Sequence, residues 1–131
     1  IVSDLPALVK RLQARFPASL AGAPVLLPTE DTAIRRALDQ WFERQNLRPL
    51  VIGEFEDYAL LREFARAGNG LIPVPDVIGG QFRDTSELAV LGPARPVEAE
   101  FFAVTPRREV DHPAVAAICQ RASALFARPD A

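Results

Sequence analysis

The chain has 131 residues, 49% of them hydrophobic and 24% charged, with a net charge of −2 and a pI near 5.4. These values fit one globular domain and lack the basic excess that nucleic-acid-binding domains carry. Cys119 and His112 are the only cysteine and histidine, which excludes an intrachain disulfide and a cysteine- or histidine-based metal cluster.

The chain begins at Ile1 and contains no methionine, so it reads as a piece of something longer. No apolar run approaches the ~20 residues that span a bilayer, and no basic leader precedes an apolar run, so no membrane partner and no signal peptide are expected. A lone thiol suits a reducing cytoplasm.

Ile1 and Val2 read as the tail of a strand. Ser3 or Asp4 then caps a helix whose stripe is Leu5, Leu8, Val9, Leu12 and Phe16, ended by Pro17. Pro24 to Pro28 is a short apolar strand. Thr29-Glu30-Asp31-Thr32 gathers cap formers and acids at a helix start, where the helix dipole favours them. The helix after it buries Ile34, Leu38, Trp41 and Phe42 and stops at Asn46, a residue that tolerates the left-handed conformation.

Leu50 to Gly53 is the next strand, with Glu54, Glu56 and Asp57 gathered at its end. Leu60, Leu61 and Phe64 predict the inner face of a further helix, which Gly68-Asn69-Gly70 terminates. Leu71 to Val74 returns to the sheet, and Asp76 to Phe82 reads as one helical turn. Leu88 to Leu91 and Glu98 to Thr105 read as two more strands across a proline-bearing loop. Asp111 or His112 caps a last helix that starts at Pro113, with an apolar stripe of Val115, Ile118, Cys119, Ala122, Leu125 and Phe126. The whole is an α/β pattern with a mixed, mostly parallel sheet flanked by helices.

Catalytic and nucleotide-binding motifs are missing. There is no phosphate-binding glycine loop, no dinucleotide fingerprint and no nucleophile elbow. Arg35, Arg36, Arg44 and Arg48 read as solvated faces and helix ends rather than a phosphate site. Cys119 falls on an apolar stripe, where a buried structural thiol is expected. The acidic turn Glu54-Phe55-Glu56-Asp57 has two readings: helix capping by Asp57, or a ligand wall at a sheet edge. Thr29-Glu30-Asp31 carries the same two readings, and two such turns on neighbouring strands would face one cleft.

Three strings carry a resemblance. GEFEDYALLREFARAGNGLIPVP resembles the middle of the effector-binding domain of LysR-type transcriptional regulators. GAPVLLPTEDTAIRRALDQWFERQNLRP is similar to the preceding strand and helix of that domain, and AEFFAVTPRREVDHPAVAAIC to its closing strand and helix. LLP before the capped helix, the QWF–QN–L run and GEF–D–AL look most like the branch that activates sodium/proton antiporter genes.

The resemblance implies a periplasmic-binding-protein-like fold of two Rossmann-like lobes with a small effector between them. It also implies a cytoplasmic bacterial protein, an oligomer, that binds DNA through an amino-terminal domain lying outside this chain. Residues 1–97 would then be the second lobe, and residues 98–131 the returning strand and helix of the first. The expected occupant of the cleft is a small effector or an inorganic cation such as sodium or lithium, with no cofactor and no catalytic role. Thr29, Glu30, Phe55, Glu56 and Asp57 are the residues expected to line it. Two other readings remain: a solute-binding lobe of a transport protein, and an α/β enzyme domain using Glu54, Glu56 and Asp57 as acid or base.

Overall fold

The computed structural model describes residues 5–76, 88–98 and 113–126. The chain forms two units, Ile1–Ala99 and Glu100–Ala131.

In the first unit, helix α1 (Leu5–Ala14) is followed by a 3₁₀ turn, Ala18–Leu20. The helix stops two residues before Phe16, whose amide closes a tight turn on Gln13 O at 3.2 Å. The predicted stripe is only partly buried: Val9 and Leu12 are half-buried and Leu8 is 45% exposed.

Strand β1 (Pro24–Pro28) and strand β2 (Leu50–Phe55) pair in parallel, with helix α2 (Ala33–Arg44) as their crossover. Helix α3 (Tyr58–Arg66) follows β2, and the chain then returns to the other edge of β1. There Leu26 N donates to Leu71 O at 2.8 Å and Leu71 N to Pro24 O at 2.9 Å. The return was expected to be a strand from Leu71 to Val74. Only Leu71 bridges β1, because Pro73 and Pro75 have no N–H to continue a ladder.

β1 is therefore the central strand, and its apolar run is buried on both faces. Val25 and Leu27 join a cluster with Leu20, Leu38, Trp41, Phe42 and Leu47. Leu26 alternates to the opposite face, and α3 packs against β1 and β2. Leu26, Leu27 and Leu61 are at most 2% exposed, and each contributes about 1.5–3 kcal/mol by leaving water. The inner face of α3 is Leu61 and Ala65, not the predicted Leu60-Leu61-Phe64 set; Leu60 and Phe64 are exposed. β2 is also open, with Leu50, Val51 and Ile52 all exposed.

Both helix stops are Schellman motifs. After α2, Asn46 N donates to Glu43 O and Leu47 N to Phe42 O, with Asn46 at φ 54°. After α3, Gly68 N donates to Ala65 O and Asn69 N to Phe64 O, with Gly68 at φ 82°.

The strand expected at Leu88 to Leu91 is not formed. Val90 O accepts from the Gln13 side chain at 2.8 Å, and Leu91 packs against the α2 cluster with Ala94 and Val97. The segment is used as packing instead, with one of its carbonyls bonded to α1. Glu98 is irregular, and the rest of the strand expected to Thr105 lies outside the described residues, as do residues 77–82 of the expected turn, the strand tail at Ile1-Val2 and the cap at Asp111 or His112.

In the second unit, helix α4 (Pro113–Phe126) begins at Pro113 as expected. Val115, Cys119 and Ala122 are half-buried, but Ile118 is 67% exposed, so the predicted stripe is interrupted.

Candidate functional site

The parallel pairing brings two turns together at the carboxyl edge of the sheet. Leu27 stands beside Glu54 and Pro28 beside Phe55 in the register. One step further, Thr29 N donates to Phe55 O at 3.2 Å, so the two strand-end turns are directly bonded. This is the edge at which open α/β sheets hold ligands.

Each turn also starts a helix. Thr32 caps α2: its hydroxyl accepts from Arg35 N at 3.2 Å and donates to Thr29 O at 2.8 Å. Asp57 caps α3, its Oδ1 accepting from Ala59 N at 2.8 Å. The capping reading of Asp57 is therefore what the structure uses, through one of its two oxygens.

The five expected site residues fall in two chain segments that the parallel pairing brings side by side, but they differ in exposure. Thr29 is half-buried, while Glu30, Glu56 and Asp57 are exposed. Phe55 is half-buried, its ring 5.0 Å from that of Phe64. β2 runs two residues beyond the predicted Gly53, so Glu54 and Phe55 belong to the strand end rather than to the turn.

The side chain at the centre of this edge is Arg35, which was expected on a solvated face and is instead 5% exposed. Its Nε sits 3.1 Å from both carboxylate oxygens of Asp39. Its Nη1 donates to Pro28 O at 2.8 Å and to Glu54 Oε1 at 3.0 Å. Glu30 lies 3.8 Å from Nη2 but is 79% exposed, a pair of little energetic weight. Burial works against the guanidinium charge; the hydrogen bonds and charges of Glu54 and Asp39 outweigh it and leave the Arg35 pKa above its ordinary value.

Sequence reasoning placed Arg35 outside because alternating charges usually mark a wet helix face. The Arg35–Asp39 spacing of four was legible, but the reach to Glu54 depends on the sheet register.

The arrangement favours recognition over chemistry. Glu54, the first of the three carboxylates an acid–base reading would use, is held by a permanent cation. Among the described residues no three acidic, histidine or cysteine side chains gather as a metal site. Among them too, no helix is long and apolar enough to cross a membrane.

The model of the LysR substrate binding domain matches residues 4–127. The chain belongs to that family. It is also 33% identical over 112 residues to the "Transcriptional activator protein NhaR" of Escherichia coli (strain K12), and equally to that of Shigella flexneri. The alignment covers 85% of this LysR-family chain and 37% of each relative, so the chain spans little more than a third of the proteins it matches. No solved structure matches it.

Proposed function

We propose that this chain is the effector-sensing part of a LysR-type transcriptional regulator, a cytoplasmic, non-enzymatic protein that binds DNA through a domain outside this sequence. The single observation that supports a sensing edge is the Thr29–Phe55 backbone bond, which joins two helix-starting turns at the carboxyl ends of parallel strands. Thr29, Glu30, Phe55, Glu56 and Asp57 form one wall of a periplasmic-binding-protein-like cleft. The other wall belongs to the lobe to which residues 98–131 return.

The occupant is a small polar effector or a hard cation. A sodium or lithium response, implied by the likeness to antiporter-gene activators, would draw on oxygens of Thr29, Glu30, Glu56 and Asp57, since Arg35 already occupies Glu54. The exposed Leu50, Val51, Ile52, Leu60 and Phe64 supply apolar surface for self-association.

The test is the thermal midpoint of the chain in sodium, lithium and potassium chloride at matched ionic strength. A ligand that binds only the folded state raises the midpoint with its concentration. The expected result is a higher midpoint in sodium or lithium, lost in Glu30→Gln and Glu56→Gln. Identical midpoints in all three salts would remove the cation from the reading. A gel shift with this chain alone is expected to show no DNA retention.

A further inference from the structure

A second polar feature lies away from the carboxyl edge. Between α1 and the 3₁₀ turn, on the stretch leading into the amino end of β1, the surface opens into a groove of about 210 Å³. Leu8 and Leu12 supply apolar wall, Arg11 and Arg15 supply charge, and Ala18 and Ser19 form the remaining side. We propose that this groove binds a short-chain carboxylate, head on the two arginines and tail on the two leucines.

Three observations carry this. First, Arg11 lies in the last turn of α1 and Arg15 directly follows its final residue, and both line the groove. Both are exposed, and the described structure gives neither an ion-pair partner. Second, from Leu5 to Thr29 the sequence has Lys10, Arg11 and Arg15 but no Asp or Glu, in a chain whose net charge is −2. The positive charge of this segment is thus uncompensated locally, in contrast to the arginine at the carboxyl edge. Third, the Ser19 hydroxyl is buried and has no hydrogen-bond partner, although the Ser19 amide is satisfied by Arg15 O at 3.0 Å. Buried hydroxyls are normally paired, and Ser19 is one of the residues that line the groove.

Size narrows the ligand. At about 30 Å³ for each water-sized unit, the groove holds roughly seven such units, short of the volume that drug-sized ligands occupy. A six-carbon carboxylate fits this space. Its carboxylate pairs with a guanidinium in the planar, two-pronged manner that arginine favours and accepts from the Ser19 hydroxyl, while its tail covers Leu8 and Leu12.

The experiment titrates the 131-residue chain with sodium hexanoate by amide chemical-shift mapping, with hexanol and inorganic phosphate as separate arms. Saturable shifts centred on residues 8–21 are expected with hexanoate, with at least tenfold weaker binding of hexanol and of phosphate. Arg11→Gln combined with Arg15→Gln should weaken hexanoate binding at least tenfold, and Ser19→Ala about fivefold, with the unfolding midpoint of each variant measured alongside. The paired glutamines replace exposed side chains, so folding is retained. No saturable shift, unchanged affinity in the paired variant, or phosphate binding as strong as hexanoate would each overturn the proposal. The sensing edge is read in sodium, lithium and potassium, so its failure and this one are distinguishable.

Discussion

Arg35 and Glu54 are nineteen positions apart in the chain, yet Arg35 Nη1 stands 3.0 Å from Glu54 Oε1 across the end of the sheet. The same Nη1 donates to Pro28 O, so one guanidinium ties the ends of β1 and β2 to the first turn of α2. The two partners differ in burial: the Arg35 side chain is 6% exposed and that of Glu54 41%. Arg35→Met leaves a part-buried carbonyl and two half-exposed carboxylates without their donor and is expected to cost about 1–3 kcal/mol. Glu54→Gln removes a half-exposed charge and should cost no more than about 1 kcal/mol. Urea unfolding followed by the fluorescence of Trp41, the sole tryptophan, measures both. Equal costs would show that Arg35 is not the hub of this edge. Because the Arg35 pKa is raised, its contribution is full below the unfolded pKa and is lost only as pH rises through the folded value, so the Arg35→Met cost should not vary across neutral pH.

A second relationship holds the loop after residue 88 to the α2 cluster. The Phe16 ring stacks on Trp41 at 6.1 Å, and Trp41 Nε1 donates to Arg95 O at 2.9 Å. Gly92 lies against the other part of this assembly: a Cβ there would stand 2.5 Å from Phe16 Cδ1 and 2.8 Å from Cε1. Gly92→Ala must displace a packed ring and should cost about 1–3 kcal/mol. Phe16→Leu in the Gly92→Ala background should recover part of that loss, giving a coupling energy of opposite sign to the single effects. Strict additivity of the two changes would refute the contact.

What could be read from the chain follows from how local each feature is. Pro24 to Pro28, the Asn46 and Gly68 stops and the start of α4 at Pro113 all depend on neighbours within a few residues, and each is found where those neighbours place it. The two turns could also be placed on one edge, because alternating strands and helices imply a parallel sheet. What escaped was set by distant partners. Arg35 is buried because β2 brings Glu54 to it, and Leu60 and Phe64 are exposed because α3 turns Leu61 and Ala65 inward. Leu88 to Leu91 looked like a strand by composition, but its residues serve as filling for a core formed elsewhere.

The stop after α2 offers a direct check on backbone energetics. Asn46 sits at φ 54°, and the next residue, Leu47, is buried against Phe42 at the end of the Schellman motif. Asn46→Ala forces a Cβ without a compensating polar group into the left-handed region and is expected to cost about 1 kcal/mol. Asn46→Gly should be neutral or slightly stabilising, since glycine accepts that conformation without steric cost. Denaturation midpoints that rank Gly at or above Asn, and Asn above Ala, support the motif; Ala equal to Gly would deny it.

Tyr58 opens α3 just after the Asp57 cap, and its hydroxyl is buried without a hydrogen-bond partner. Burial raises the pKa of this phenol, and the positive charge of Arg62 offsets the rise only in part. A phenol is charged when deprotonated, so a raised folded pKa means that the unfolded chain loses this proton first. Stability from this group is therefore constant below the unfolded value near ~10 and falls as pH rises above it. Tyr58→Phe should flatten that alkaline decline. At neutral pH the substitution removes an unpaired polar group, so it is expected to be neutral or to stabilise by up to about 1 kcal/mol. Midpoints of the two proteins measured from neutral to strongly alkaline pH provide the check. A clear loss of stability at neutral pH, or an unchanged alkaline slope, would show that the hydroxyl is paired in solution.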